Sequence, residues 1–303
     1  MATQILVPLD GSSLSEQALP CAMTLGRGLA AELVLFGAVS IPPDTQETLD
    51  NAGVKTDTLV EQLEAEANDH LGKVVERLRE AGLDARHVVQ RDPAAEAIVS
   101  YAEQEEDIQH IVMATHGYTG ISRWTHGSVA ERVLQSASVP VLMVRAKEGA
   151  LIDLQQPMSC QRILVPLDGS ARAERVLPAV IPIASTLGSE MILFQVPIVH
   201  VSGWSTGEWF MPLEGVLETA EQSAQAYLSD VANRLKKQGV KISTATRMGP
   251  VAGSIVEHAE ANRVDLIAMC THGRTGLGRW VLGSVADRVL RAGSIPIFLV
   301  RAR

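Results

Sequence analysis

Glycine and serine, repeated at one spacing, carry the chemistry this chain most plainly offers. Gly117 is followed by nine residues and then Gly127-Ser128, and Gly273 by nine residues and then Gly283-Ser284. Each run leaves an apolar stretch and enters a helix-forming one. A glycine there lets backbone N–H groups approach a ligand with no Cβ in the way. A helix N-terminus adds unpaired donors and the positive end of the helix dipole, and the serine hydroxyl adds one donor more. Such a set suits a phosphate group. The same residues also suit a structural turn whose glycines meet only backbone geometry. His116 and His272 invite a general-base reading, yet neither has a serine or aspartate at a spacing that defines a triad, and no H-x-x-x-H pair offers metal ligands. Arg123 and Arg279 precede Trp124 and Trp280, placed either to reach a terminal phosphate or to pack on the indole. Neither a Walker A sequence nor a complete dinucleotide fingerprint occurs, since Gly26-Arg-Gly28 and Gly276-Leu-Gly278 lack the third glycine.

The elements that must position these residues follow from patterning. In the first half, apolar strands are expected over 5–8, 32–39, 85–90, 108–114 and 139–144. Helices are expected over 14–29, 57–81, 93–104 and 128–135. Asp10-Gly-Ser-Ser13 supplies an N-cap for the first helix, worth about 1 kcal/mol. Pro20, and Pro178 at the equivalent place, should kink that helix in both halves. Leu59, Leu63, Ala67, Leu71, Val74, Val75 and Leu78 form the apolar stripe of the second helix, which Gly82 should end. Strands alternating with helices predict a parallel sheet covered on both faces. In such sheets ligands sit beyond the carboxyl ends of the strands, where the strand order reverses. An order of 3-2-1-4-5 would make the first and fourth strands neighbours there, with Asp10 beside the loop after Ala114.

The chain is written twice. Ile5–Ser12 and Ile163–Ser170 are the same eight residues, and the twenty from Thr115 align with the twenty from Thr271. At 303 residues the chain is about twice a common domain length of ~150. We therefore expect one domain over 1–147, a linker over 148–159 and a second domain over 160–303. Composition sets limits on function. With 46% apolar and 20% charged residues the chain is an ordinary globular one. A net charge of −9 with no basic stripe argues against nucleic acid but not against a small phosphorylated ligand, because amides supply the positive end. Cys21, Cys160 and Cys270 form no C-x-x-C and fit a reducing cytoplasm. The longest apolar run, 176–184, contains two prolines and is too short to span a bilayer. Between the halves, Trp204, Trp209 and Phe210 have no counterpart; they suit a packed seam, or else a lid or partner surface.

The ordered set V-P-L-D-G-S, T-H-G-x9-G-S and V-P-V-L-x-V resembles the universal stress protein family, and because it covers both halves it resembles the tandem-domain type. The resemblance implies two Rossmann-like α/β domains, each with five parallel strands. It implies ATP binding through G-x-x-G-x9-G-[ST], with or without Mg²⁺, and a role in stress regulation or sensing. Carried over by position, Pro8, Asp10, Ala38 and Met113 would surround the adenine and ribose. Gly117, Gly127, Ser128 and Val129 would face the phosphates. The second-half counterparts are Pro166, Asp168, Val196, Met269, Gly273, Gly283, Ser284 and Val285. The first motif glycine is replaced, by Ala114 and by Cys270, and both are expected to crowd the ribose, Cys270 more. Slow ATP hydrolysis or phosphotransfer at the same site is the alternative, and a scaffold with empty sites is a third. The resemblance further implies that the last strands of the two domains meet as an intramolecular pseudo-dimer, with a homodimer open; the charge and the short apolar runs lead us to expect no nucleic acid and no membrane partner.

Overall fold

The computed structural model describes residues 3–115, 128–150, 152–154, 157–198, 213–272 and 282–301. The chain divides into two compact units, Met1–Ser159 and Cys160–Arg303. Unit 1 runs β1 (Gln4–Pro8), α1 (Leu19–Leu29), β2 (Glu32–Ala38), α2 (Pro43–Asn51), α3 (Thr56–Glu80), β3 (Ala85–Gln90), α4 (Ala94–Gln104), β4 (Ile108–Ala114), α5 (Ser128–Ser136) and β5 (Val141–Val144). Its strands stand in the order β3-β2-β1-β4-β5, every pair parallel. Unit 2 runs β6 (Arg162–Pro166), α6 (Leu177–Leu187), β7 (Glu190–Gln195), α7 (Leu213–Leu235), β8 (Lys241–Thr246), α8 (Val251–Ala261), β9 (Leu266–Cys270), α9 (Ser284–Ala292) and β10 (Ile297–Val300). Its order, β8-β7-β6-β9-β10, is the same. The doubly wound, five-stranded domain expected from the sequence is thus present twice, and the strand order reverses between β1 and β4 and between β6 and β9.

The strands at the centre of each sheet are buried almost throughout on both faces, so they read as nearly continuous apolar runs and not as alternation. Aromatics are scarce, and among the described residues Phe36, Phe194 and Phe298 are the largest wholly buried side chains. Phe36 packs on Tyr101 of α4, and Phe194 on the His258 ring of α8, with centroids 5.2 and 4.5 Å apart. The first helix differs from expectation. Residues 15–18 and 173–176 are 3-10 turns, and the α-helix starts only at Leu19 and Leu177. Pro20 and Pro178 therefore sit in the first turn, where no intrahelical donor is needed, and they start the helix without kinking it. The stretch 148–159 returns to α1: Thr24 donates to the Met158 carbonyl at 2.8 Å, and Leu154 is buried. Among the described residues no helix is long and apolar enough to cross a membrane.

Candidate functional site

The first strand of each unit delivers its last residues past the edge of the sheet. Pro8 pairs with Phe36 at the end of β1, and Leu9 N–H still reaches the Phe36 carbonyl at 2.9 Å. The chain then turns at Gly11, whose φ of +81° suits glycine and few other residues. Asp10 Oδ1 accepts from Ser12 N–H at 3.0 Å and from Ser12 Oγ at 2.6 Å, and Ser12 Oγ accepts from Ser15 N–H at 3.1 Å. Unit 2 repeats this arrangement: Gly169 has φ +84°, and Asp168 Oδ1 accepts from Ser170 N–H and Oγ at 2.9 and 2.6 Å. Within the 10–13 segment from which a cap was expected, the serine and the aspartate divide the work. The aspartate closes the loop onto the serine two residues on, and it is the serine hydroxyl that caps the 3-10 turn. What decides this is the 3-10 turn itself, which sets the start of the α-helix at Leu19 and Leu177, well beyond the aspartate.

Above these strand ends in unit 1 lies a cleft of about 400 Å³. Leu9, Asp10 and Gly11 supply one wall, and the end of β2 from Gly37 to Ser40 the floor. The opposite wall is α3, through Leu63, Glu66, Ala67, His70 and Leu71. Of the residues singled out from sequence, the cleft joins Asp10 and Ala38. Pro8 lies buried beneath it at the end of β1. Met113 and Ala114 are buried at the end of β4, where Thr115 N–H continues the ladder to the Val144 carbonyl at 2.9 Å. Val129 is half-buried in the first turn of α5, and Ser128 starts that helix. Gly117, Gly127 and His116 lie outside the described residues, as do Gly273, both Arg-Trp pairs and the 204–210 aromatics.

The α3 wall was missed in sequence, although a length argument could have found it. Twenty-five residues of helix span about 37 Å. The seven residues of β2 span about 23 Å. The helix must overhang the sheet. Leu71, Val74, Val75 and Leu78 cover the strands, whereas Leu63 and Ala67 of the same apolar stripe stand over the cleft.

Unit 2 shows how the glycine loop rejoins the sheet. Gly283 N–H donates to the Thr271 carbonyl at 2.8 Å, and a Cβ at Gly283 would stand 2.5 Å from that oxygen. The glycine is thus required for close packing, and its own amide is already used. The donors left facing outward are those of Ser284 and its successors in the first turn of α9. Pro166 is half-buried, and Val196 and Met269 are buried, at the equivalent strand ends. Cys270 is buried at the end of β9. Its sulfur is turned to the Ala173 carbonyl at 3.6 Å, beneath the 3-10 turn, and burial raises its thiol pKa to about 11. The space it takes lies beneath the turn. His272 Nδ1 lies 3.1 Å from Thr271 Oγ1, which ties the imidazole to the end of β9.

The same 3-2-1-4-5 order of parallel strands is present in both units. The model of the Universal stress protein family matches residues 1–145 and 159–301. This chain belongs to that family. A universal stress protein of Synechocystis is 23% identical over 98% of this chain and 99% of its own length, so a relative shares the two-copy extent. One of Methanocaldococcus jannaschii is 34% identical over 145 residues, covering 46% of this chain and 82% of that protein. Among solved structures, a universal stress protein from Archaeoglobus fulgidus superposes with a TM-score of 0.69 over 99% of this chain and 96% of its own, at 19% identity, which speaks for the fold.

Proposed function

We propose that this universal stress protein binds an adenine nucleotide at the strand ends of unit 1 and acts as a stress-response regulator whose ligand-dependent state a partner reads. The cleft carries the reading. Its volume falls in the range of small-molecule sites, and it joins an apolar floor to a few polar groups, as such sites do. Leu9, Ala38, Ala67 and Leu71 offer apolar contact to a base. Asp10 stands at the rim as an acceptor for ribose hydroxyls; Ser12 uses its Oδ1 in the turn. The start of α5, at the reversal point of the sheet, supplies amides and a helix dipole for phosphates. Mg²⁺ would accompany the phosphates as it accompanies ATP in solution, with no protein ligand assigned to it. The free, buried cysteines fit action in a reducing cytoplasm.

Titration calorimetry with ATP, with and without Mg²⁺, tests the proposal. Measurable heat and a raised thermal midpoint are expected, together with an adenine nucleotide released when the purified protein is denatured. No heat and no midpoint shift at millimolar ATP would remove the reading.

A further inference from the structure

We infer that Gln195 closes in unit 2 the cleft that Gly37 leaves open in unit 1, so that one chain takes one nucleotide and takes it in unit 1. The inference rests on the nucleotide reading above for the ligand, and on the two units themselves for the asymmetry.

The register makes the comparison strict. Pro8 pairs with Phe36, and Pro166 with Phe194, so the next residues, Gly37 and Gln195, are equivalent. Gly37 is part of the cleft floor. A Cβ there would stand 3.1 Å from Leu71 Cδ1 on α3 and 3.4 Å from Val89 Cγ2 on β3. Helix and strand thus close around the position, and any longer side chain must extend into the cleft. Unit 2 carries that longer side chain. Gln195 is only 8% exposed, and its Oε1 is buried without a hydrogen-bond partner. A carbonyl oxygen left unpaired in the interior costs about 1–3 kcal/mol, so this side chain is not there for stability alone. The helix wall shows the same difference. Glu16 holds Arg77 as Glu174 holds Arg234, which makes Ala67 and Ala224, ten residues before each arginine, equivalent. Ala67 is half-exposed over the cleft, whereas Ala224 is 4% exposed. Val196 in place of Ala38 narrows the floor further.

The test reads stoichiometry and access separately. Calorimetry with ATP should give one equivalent per wild-type chain. Binding in unit 1 should be abolished by Gly37→Gln and weakened at least tenfold by the milder Gly37→Ala. Gln195→Gly, or Gln195→Ala should glycine unfold the strand, should raise the count to two. Independently of any nucleotide, Ala67→Cys should react with 5,5′-dithiobis(2-nitrobenzoate) at least tenfold faster than Ala224→Cys, the native cysteines being buried. Adding Gln195→Gly should bring the Ala224→Cys rate up to that of Ala67→Cys. Two equivalents in the wild type, unchanged binding in Gly37→Gln, or equal labelling of the two engineered thiols would overturn the inference. A wild-type chain that takes up no ATP would remove the nucleotide reading instead, and the labelling rates would then decide the cleft asymmetry.

Discussion

At the scale of single residues, Asp10 combines two roles that substitution can separate. Its Oδ1 organises the turn through Ser12, and its charge faces the cleft. Asn keeps an Oδ1 acceptor and loses the charge; Ala loses both. Asp10→Asn is therefore expected to leave the thermal midpoint within about a degree and to weaken ATP binding roughly tenfold, an effect of about 1.4 kcal/mol typical of one charged hydrogen bond. Asp10→Ala should lower both affinity and midpoint, as scanning calorimetry and titration would show. Gly283 offers a contrasting case. A methyl group there meets the Thr271 carbonyl at 2.5 Å, so Gly283→Ala must displace the start of α9. A loss of about 1–3 kcal/mol is expected in the unfolding transition of unit 2. An unchanged midpoint would show that the loop can shift without strain.

At the scale of elements, each unit fastens its long helix to the turn after the first strand through one glutamate, with different partners. In unit 1, Glu16 meets His70 and Arg77 of α3, both at 3.3 Å. In unit 2, Glu174 accepts from the Tyr227 hydroxyl at 2.9 Å and pairs with Arg234 at 2.7 Å, both on α7. Burial first, and then the Glu174 carboxylate, raise the Tyr227 phenol well above its ordinary value, so it remains a donor at every working pH. Tyr227→Phe removes that donor and leaves Arg234 in place. The expected cost is about 1 kcal/mol, read from the thermal midpoint; no change would assign the anchoring to Arg234 alone. The overhang of α3 also explains a limit of sequence patterning. A single stripe of apolar residues serves two purposes along one helix, sheet cover at one end and cleft wall at the other. Periodicity reports only that the face is apolar.

At the scale of the molecule, acid stability provides a test of the core. His110 lies in β4 opposite Ile5, and burial lowers its pKa to about 4. An unfolded histidine titrates near 6.5. Between these values the unfolded chain holds the extra proton, so stability rises with pH across about 4 to 6.5 and falls as pH drops through that window. His258, lowered by burial and then by Arg247, acts in the same direction. Between pH 7.5 and pH 5 the wild type should lose on the order of 2 kcal/mol more than His110→Gln in urea unfolding. Equal losses would show that the His110 site admits the proton while folded.

The repeat, the order of elements and the family were legible in the residues because each is a property of local pattern: identical octapeptides, apolar runs and turn residues at fixed offsets. Pro20 was located correctly but its effect was not, because whether a proline kinks or starts a helix depends on where the preceding turn becomes α-helical. The glycine spacing was likewise visible. That Gly283 spends its amide on Thr271, and that Cys270 turns beneath the 3-10 turn, were not, since both depend on atoms brought together from distant segments. The sequence by itself determined two copies of one doubly wound domain. Only the tertiary structure decided that Gly37 stands in the floor of a cleft while its counterpart Gln195 is buried, because a cavity belongs to no residue but to the space that packing leaves between helix and sheet.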